Sequence, residues 1–411
     1  MKRITLIFVG LVLAINFPGN ACTTAIISGK YTPDGRPLLW KHRDTGFLNN
    51  KIVHFNDGKY SYTGLVNSGD HENKSVWIGF NSEGFAIMNS ASYNLNNDTI
   101  TLSGHEGRLM KKALQTCATI DDFEELLKSL NQPIKLEANF GVIDAYGGAA
   151  YFELGNFKYE KIDVNDPKIA PYGYVLRTNY STTGEMGIGG GYIRFETADQ
   201  VLKMAVKETN LTPKTIIRKA SHNLFHSLTK VDLNDYSEIA ENTETFVCFE
   251  DFIPRKSSSS SVVVQGVRTG EDPACSTMWT VLGWPLSTVC VPVWLHSKVE
   301  LPSLLLYQEK IKDAPMCHLG LELKKECFPY EWGTSSKKYM NVNALLNANN
   351  TGILQILEPF EDEIFEKAEA LLGSWRKTKI KPSEMEDFYD WINREIPAFY
   401  SKNFNVRIKH P

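Results

Sequence analysis

The sequence has no apolar run long enough to cross a bilayer and no excess of basic residues. Its longest apolar run, residues 4–17, is shorter than the roughly 20 residues that a membrane-spanning helix needs. Lys and Arg total 44 against 48 Asp and Glu, and the basic residues form only short runs. Because nucleic-acid binding depends on clustered positive charge, we expect neither a nucleic-acid partner nor a transmembrane segment. The sequence also lacks internal repeats and strongly biased tracts, which favours a globular fold.

Residues 1–21 have the three parts of an export signal. Lys2 and Arg3 precede the apolar run, and the small residues Gly19 and Ala21 stand at a cleavable junction. We therefore expect a signal peptide over 1–21 and a protein exported to the periplasm or the extracellular space. Loss of Lys2 and Arg3 would leave 42 basic residues against 48 acidic ones, a formal net charge of −6.

The chain contains seven cysteines, an odd number. In an oxidising compartment at least one thiol should then stay free. Cys317 and Cys327, ten positions apart, are the preferred candidates for a disulfide, although spacing alone leaves their pairing open. The free thiol of greatest interest is Cys22, because it follows the expected cleavage junction directly.

The first residues after that junction predict a β-hairpin. Residues 23–27 favour a strand, T-P-D-G-R at 32–36 is a strong turn signal, and residues 37–40 favour a second strand. The returning strand would bring K-H-R-D, residues 41–44, beside Cys22.

Strand patterns and amphipathic helices alternate along the chain until about residue 301, where charged helical patterns replace them. We therefore expect an α+β fold in two parts: a layered sheet and helix domain over 22–300, and a mostly helical part over 301–411 packed on it. Further strands are expected at 75–80, 85–89, 174–178, 260–267 and 279–282, and a hairpin at 140–154. Helices are expected at 105–117, 120–130 (capped by Thr119), 195–208, 212–226, 360–376 and 384–396.

If the chain is cut after Ala21, Cys22 carries both a thiol and a free α-amine. The unperturbed pKa is about 8.5 for a thiol and about 7.7–8.0 for an α-amine, so the amine can accept the thiol proton near neutral pH. Lys41 and Arg43 would favour the thiolate, and Asp44 would orient the amine. The expected reaction is amide cleavage through a thioester, with an oxyanion site for the tetrahedral intermediate. This chemistry requires no metal or organic cofactor.

A different class of function stays open at the same residue. Lipid attachment at Cys22 would block both the thiol and the amine, leaving an anchored, non-catalytic binding protein. A lipoprotein signal carries a leucine-like residue three positions before the cysteine, where this chain has Gly19. The lipid anchor is therefore the less favoured alternative.

Several segments, in order, resemble the N-terminal nucleophile hydrolases. C-T-T-A-I-I-S-G at 22–29, followed by the turn and by K-H-R-D, is similar to the acyl-coenzyme A:isopenicillin N acyltransferase-like branch, which is related to penicillin V acylase, bile-salt hydrolase and acid ceramidase. W-I-G-F-N-S-E-G-F-A-I-M-N at 77–89 resembles the G-x-N-x-x-G strand pair of that branch. R-T-N-Y at 177–180 resembles its oxyanion segment, and R-F-E-T-A at 194–198 resembles its arginine-led helix start.

The resemblance covers about residues 22–290 and implies a four-layer αββα sandwich. It assigns the nucleophile to Cys22 and the orienting carboxylate to Asp44. It also assigns an oxyanion donor to Asn179 and a second arginine of the site to Arg194. The implied activity is hydrolysis of a linear, non-peptide amide bond in a small N-acyl compound.

The sequence departs from the family pattern at Lys41, where bile-salt hydrolases have arginine. A lysine supplies charge but cannot make a two-pronged contact with a carboxylate, so the roles of Lys41 and Arg43 stay open. Acyl transfer to an amine would use the same residues as hydrolysis. The secreted dipeptidases of the same superfamily also resemble the first residues, C-T-T with a D-G turn, and are the second-ranked relation.

Three further patterns are interpreted without a catalytic or binding role. His222 and His226 have metal-binding spacing, but no intervening Glu or third ligand accompanies them, so a packing or surface role is favoured. G-I-G-G-G at 187–191 lacks the Lys-Ser of a phosphate-binding loop and is expected to be a mobile loop beside the site. The serines at 257–261 are expected to form a loop entering a strand.

Five further residues are candidates for the site. Candidates for an acyl pocket are Trp40, Tyr93, Tyr180 and Tyr192, and a secondary oxyanion candidate is Asn89.

Overall fold

The computed structural model describes residues 21–330 and 338–408 of the chain. The predicted signal peptide, apart from its last residue, lies outside the described residues. The strands are β1 Ala21–Ile27, β2 Leu38–Asp44, β3 Asn50–Phe55, β4 Tyr62–Asn67, β5 Ile78–Asn81, β6 Ala86–Ala91, β7 Ala138–Ile143, β8 Ala149–Leu154, β9 Tyr159–Asp163, β10 Tyr174–Arg177, β11 Phe225–His226, β12 Val231–Asp232, β13 Phe246–Cys248, β14 Ser258–Gln265, β15 Thr277–Leu282, β16 Val291–Val293 and β17 Tyr339–Asn341.

The helices cover both the middle and the end of the described chain. They are α1 Glu106–Thr116, α2 Ile120–Lys128, α3 Tyr192–Lys207, α4 Pro213–Thr215, α5 Pro315–Cys327, α6 Ile353–Trp375 and α7 Pro382–Phe404, and α4 continues into a π-helical turn, Ile216–Ser221. In the described residues no helix combines the length and apolar composition that a membrane crossing needs.

Two antiparallel sheets pack face to face. Sheet A has the strand order β10-β1-β2-β14-β15-β16, and sheet B has β3-β4-β5-β6-β7-β8-β9. Because side chains alternate along a strand, every second residue of β1 faces sheet B. Thr24 is one of them, since its Oγ1 accepts a hydrogen bond from Tyr151 Oη at 3.0 Å. Arg177 reaches across in the same way, with its Nε 2.6 Å from Glu153 Oε1.

Helices cover the outer face of each sheet. On sheet B, Phe123 of α2 lies edge-on to Phe152 with ring centroids 5.2 Å apart, and Thr119 caps α2 as predicted. On sheet A, Phe365 of α6 stacks on Trp279 at 4.7 Å. The α+β class and the four-layer αββα order are therefore confirmed.

The last two helices share the main hydrophobic core with sheet A. Trp375 of α6 lies edge-on to Trp294 at 5.0 Å, and Tyr400 Oη of α7 donates to the carbonyl of Ser287 at 2.8 Å. α7 extends beyond both of its predicted ends, whereas α6 begins seven residues before its predicted start and ends at Trp375, one residue before its predicted end. These two helices thus pack on sheet A, while the division of the chain into 22–300 and 301–411 remains a prediction.

Two sequence expectations are wrong. The helix predicted over 212–226 ends at Ser221, because the π-helical turn interrupts it and His226 belongs to the short strand β11. His222 and His226 therefore do not share a helix face. No group of three or more His, Cys, Asp or Glu residues suited to a metal occurs in 21–330 or 338–408.

The expected disulfide is the second error. Cys317 and Cys327 lie on one helix, α5, ten residues apart. At about 1.5 Å per residue their Cα atoms are roughly 15 Å apart, whereas a disulfide requires a separation below about 7 Å. All seven cysteines lie in the described parts of the chain, and all are free thiols.

Candidate active site

The β1–β2 hairpin brings the predicted catalytic residues together. Cys22 is directly opposite Arg43, Thr24 is opposite Lys41, and Ala21 is opposite Asp44. Since side chains at facing positions of an antiparallel pair point to the same side, Cys22, Lys41 and Arg43 all face sheet B. The expectation that K-H-R-D returns beside Cys22 is confirmed.

These three side chains open into a cavity of about 290 Å³ between the sheets. The thiol of Cys22 is 4% exposed and not bonded to another sulfur. Asp44, Trp77 and Asn89 also line the cavity. A free thiol in the wall of a small cavity is placed to attack a bound molecule, provided that the molecule fits.

The Lys41 ammonium group is bound by two uncharged oxygen atoms. Its Nζ donates to the carbonyl of Trp77 at 2.9 Å and to Oδ1 of Asn89 at 2.7 Å. Burial lowers the pKa of Lys41 to about 8; of the nearby charges, that of Arg43 acts in the same direction, whereas those of Cys22 and Glu106 oppose the shift. Lys41 has no hydrogen-bonded carboxylate among the described residues, so it places net positive charge beside the thiol.

Arg43 is bound in a similar way. Its Nη1 donates to Oδ1 of Asn50 at 2.6 Å and its Nη2 to Oδ1 of Asn67 at 2.9 Å. The guanidinium carbon lies 4.8 Å from the ring centroid of Trp77. Burial lowers its pKa to about 10, so the group stays protonated at neutral pH.

Asp44 is anchored from a third strand of sheet A. Its Oδ2 pairs with Arg255 Nη2 at 2.7 Å, and its Oδ1 accepts a hydrogen bond from the Ser258 hydroxyl. The same Arg255 nitrogen lies 3.4 Å from the carbonyl oxygen of Ala21. Asp44 and the peptide group before Cys22 therefore share one guanidinium.

A buried histidine supports this anchor. His42 Nε2 lies 2.9 Å from Ser258 Oγ, and burial lowers the pKa of His42 to about 4. His42 is therefore neutral at ordinary pH and acts as a hydrogen-bond partner of the serine.

The serines at 257–261 do not form the expected loop leading into a strand. Four of these five residues, 258–261, lie in the strand β14 itself.

Arg194 links β1 to the segment after β10. Its Nη1 donates to the Cys22 carbonyl and to Thr23 Oγ1, both at 2.8 Å, and its Nη2 donates to Oδ1 of Asn179 at 2.8 Å. Burial lowers its pKa to about 10. Arg194 approaches from the helical side of sheet A, so it fixes the backbone of Cys22 and does not line the cavity.

Asn179 lies behind the cavity wall. Its Nδ2 donates to the carbonyl of Ala91 at 3.1 Å, and its backbone pairs with Gly190 in both directions. The glycine loop follows this pairing. Gly191 has a φ of +87°, and a Cβ there would lie 2.4 Å from Arg194 Nη2, so a side chain at this position would displace the guanidinium.

Asn89, the secondary oxyanion candidate, lines the cavity directly. Of the four aromatic candidates for an acyl pocket, Tyr93 also lines it. Trp40 does not, because its indole donates to the hydroxyls of Ser221 and Ser261 on the helical side of sheet A.

Sequence reasoning missed Arg255, Ser258 and two carboxylates of the cavity wall, Glu106 and Glu137. No motif marks the first pair, since they meet Asp44 through the β2–β14 pairing of residues more than 200 positions apart. Glu106 lies in the first turn of the helix predicted over 105–117, where an acidic residue stabilises the helix terminus and so carries no functional signal.

No protein-family model and no curated protein matches the chain. Three solved structures are distantly similar. A conjugated bile acid hydrolase from Clostridium perfringens has 12% identity and a TM-score of 0.40, over 66% of this chain and 92% of that one. An N-acylethanolamine-hydrolyzing acid amidase ortholog from Caenorhabditis elegans has 14% identity and a TM-score of 0.39, over 59% and 92%. A penicillin V acylase from Agrobacterium tumefaciens has 12% identity and a TM-score of 0.36, over 68% and 87%. Similarities at this level establish neither a family nor an activity for the chain.

Proposed function

We propose that this protein is an exported amide hydrolase that acts on a small N-acyl compound through Cys22. The observation that carries the proposal is the free Cys22 thiol in the wall of a 290 Å³ cavity, on the same strand face as two cations. Lys41 and Arg43 are bound to neutral oxygens, so their charge is available to stabilise a thiolate.

The reaction begins once the chain is cut between Ala21 and Cys22. The new α-amine takes the thiol proton, and Sγ forms a bond to the substrate carbonyl carbon. The C–N bond then breaks, and the departing amine takes the proton from the α-ammonium. Water adds to the thioester, the α-amine again accepts a proton, and the C–S bond breaks to release the acid and restore the thiol.

Three residues have supporting roles in this proposal. Asp44, held by Arg255, orients the α-amine, because Asp44 faces Ala21 and the new amine forms at the next residue. Asn179 is the proposed oxyanion donor, and its side-chain amide lies beside Ala91, a residue of the cavity wall. Arg194 holds the Cys22 carbonyl and so positions the nucleophile.

Two other functions use the same residues. Acyl transfer differs only in the group that reaches the thioester, and dipeptide cleavage differs only in the substrate. A lipid-anchored binding protein would instead carry blocked thiol and amino groups on Cys22.

The test is replacement of Cys22 by Ala and by Ser, assayed on a panel of N-acyl amides that includes penicillin V and conjugated bile salts. Both variants should lose turnover and keep the native circular dichroism spectrum. Cys248→Ala, at an exposed cysteine, is the matched control and should stay active. Intact mass should place the mature N-terminus at an unmodified Cys22. Full activity in Cys22→Ala, or a diacylglycerol mass on the mature chain, would refute the proposal.

A further inference from the structure

The cavity has charge of opposite sign on different walls. Lys41 and Arg43 stand beside the thiol, and Glu106 and Glu137 line the same space. No ion pair joins either cation to either carboxylate among the described residues. Buried charges are normally paired, because removing an ion from water is costly. Lys41 and Glu106 attract each other across the cavity, but no hydrogen bond joins them in the described residues, so both charges can interact with a bound molecule.

The two carboxylates differ in their surroundings. Glu137 Oε1 accepts hydrogen bonds from the backbone N–H of Leu95 at 2.7 Å and of Asn96 at 3.4 Å, so backbone donors satisfy it. Glu106, the first residue of α1, has only its own backbone N–H as a hydrogen-bond donor in the described chain. Its carboxylate is half-buried, and burial raises its pKa. Among the carboxylates of the cavity wall, Glu106 is thus the one to which no other residue of the described chain donates a hydrogen bond.

The volume of the cavity limits the size of a molecule that could bind there and donate a hydrogen bond to Glu106. Pockets for drug-sized ligands enclose about 300–1,000 Å³, and the 290 Å³ of this cavity is just below that range. A long acyl chain or a steroid would not be enclosed. A small molecule that spans from Cys22 to Glu106 would bring its own hydrogen-bond donor to the carboxylate.

Building on the proposed function, we propose that the substrate is a small amide carrying a positively charged amino group, and that Glu106 binds that group. An ammonium group would donate hydrogen bonds to this carboxylate and would add a second positive charge beside it. Lys41 and Arg43 would repel it from the thiol end of the cavity, which fixes the direction in which the substrate binds. Glu106 is then the residue that determines specificity, while Cys22 performs the chemistry.

The test compares isosteric amides that differ by an ammonium or a methyl group. One pair is N-(aminopropyl)butanamide and N-butylbutanamide, with the charge on the leaving amine. The other pair is alanine para-nitroanilide and isobutyric para-nitroanilide, with the charge on the acyl group. The wild-type enzyme should prefer the charged member of at least one pair, measured as kcat/KM, and the preferred pair tells which side of the amide carries the charge.

Glu106→Gln should reduce that preference roughly ten- to a hundredfold, the value expected for a hydrogen bond to a charged group. The neutral substrates should lose much less, because they present no charged group to position 106. Glu125→Gln, at an exposed residue of α2, is the matched control and should change neither rate.

The outcomes separate this inference from the proposed function. The inference is overturned if the wild type cleaves the charged and neutral members of both pairs equally well. It is also overturned if Glu106→Gln lowers kcat/KM equally for both members. That result would mean that Glu106 stabilises only the helix terminus or Lys41. An enzyme that cleaves penicillin V but no charged substrate also overturns it. Failure to cleave any amide overturns the proposed function instead.

Discussion

Lys41 and Arg43 occupy a position that stability alone does not favour. Both are buried, and both bind amide or carbonyl oxygens in place of carboxylates. A buried cation without an anionic partner destabilises the folded chain, and an apolar residue at either position would cost less. Perturbed charges of this kind concentrate at functional sites. In the proposed reaction the two cations stabilise the thiolate of Cys22, which lies opposite Arg43.

Asp44 is the residue at which orientation and stability are both expected to depend on charge. Asp44→Asn would leave Arg255 without its carboxylate, so we expect the free energy of unfolding to fall by about 3 kcal/mol. Loss of the group that orients the α-amine should lower kcat by about 100-fold or more. Urea unfolding and steady-state kinetics on the variant measure the two effects.

The comparison for this variant is Asp121→Asn. The Asp121 side chain is 89% exposed and lies 3.3 Å from Lys161, so its loss should change stability by less than about 0.5 kcal/mol and leave kcat unaltered. Should Asp44→Asn retain wild-type kcat, Asp44 would be a structural residue and the α-amine would be oriented by another group.

At the scale of elements, sequence patterns predict the contacts within the β1–β2 hairpin. They do not predict the contacts that the hairpin makes with residues far away in the chain. The hairpin follows from a turn signal and two short strands, and alternation then places Cys22 and Arg43 on one face. Arg255 depends on how a distant strand pairs with β2, which no local pattern encodes. The helix predicted to reach His226 failed because a π-helical turn, invisible in the apolar spacing, ends it at Ser221.

The packing of α1 on sheet B depends on glycine at two facing strand positions. Gly79 of β5 pairs with Gly64 of β4. A Cβ at Gly79 would lie 2.4 Å from the carbonyl oxygen of Thr63 and 3.0 Å from Leu114 Cδ1 of α1. The nearest atom is backbone, which cannot rotate away. We expect Gly79→Ala to lower the free energy of unfolding by about 3 kcal/mol, the upper end of the cost of overpacking, in urea unfolding.

Gly373→Ala gives a comparison with the opposite sign. Gly373 lies in α6, and a Cβ there meets nothing within 4 Å. Alanine should therefore stabilise this helix by up to about 1 kcal/mol through its higher helix propensity. If Gly79→Ala were neutral, β4 and β5 would have to separate at little cost, and the close approach of α1 would not depend on these glycines.

At the scale of the whole molecule, the last two helices complete a core that sheet A cannot close alone. Glu361 of α6 accepts a hydrogen bond from the backbone N–H of Cys290 at 2.7 Å, and Arg218 reaches the same carboxylate at 2.9 Å. Because Cys22 lies on a central strand of sheet A, the geometry of the site depends on helices that contribute nothing to its chemistry.

This arrangement predicts that catalysis and the C-terminal helices are lost together. Phe365→Ala removes the ring stacked on Trp279 and should lower the free energy of unfolding by about 3–5 kcal/mol. Helix content, followed by circular dichroism, and amide hydrolysis should disappear in one coincident transition, shifted by the same amount. Phe47→Ala, at a residue that is 62% exposed, should leave that transition in place.

A chain ending at residue 300 would expose the core face of sheet A and should not fold. If that shortened chain unfolded cooperatively and kept activity, residues 22–300 would be an independent domain and the coupling argued from the shared core would be absent.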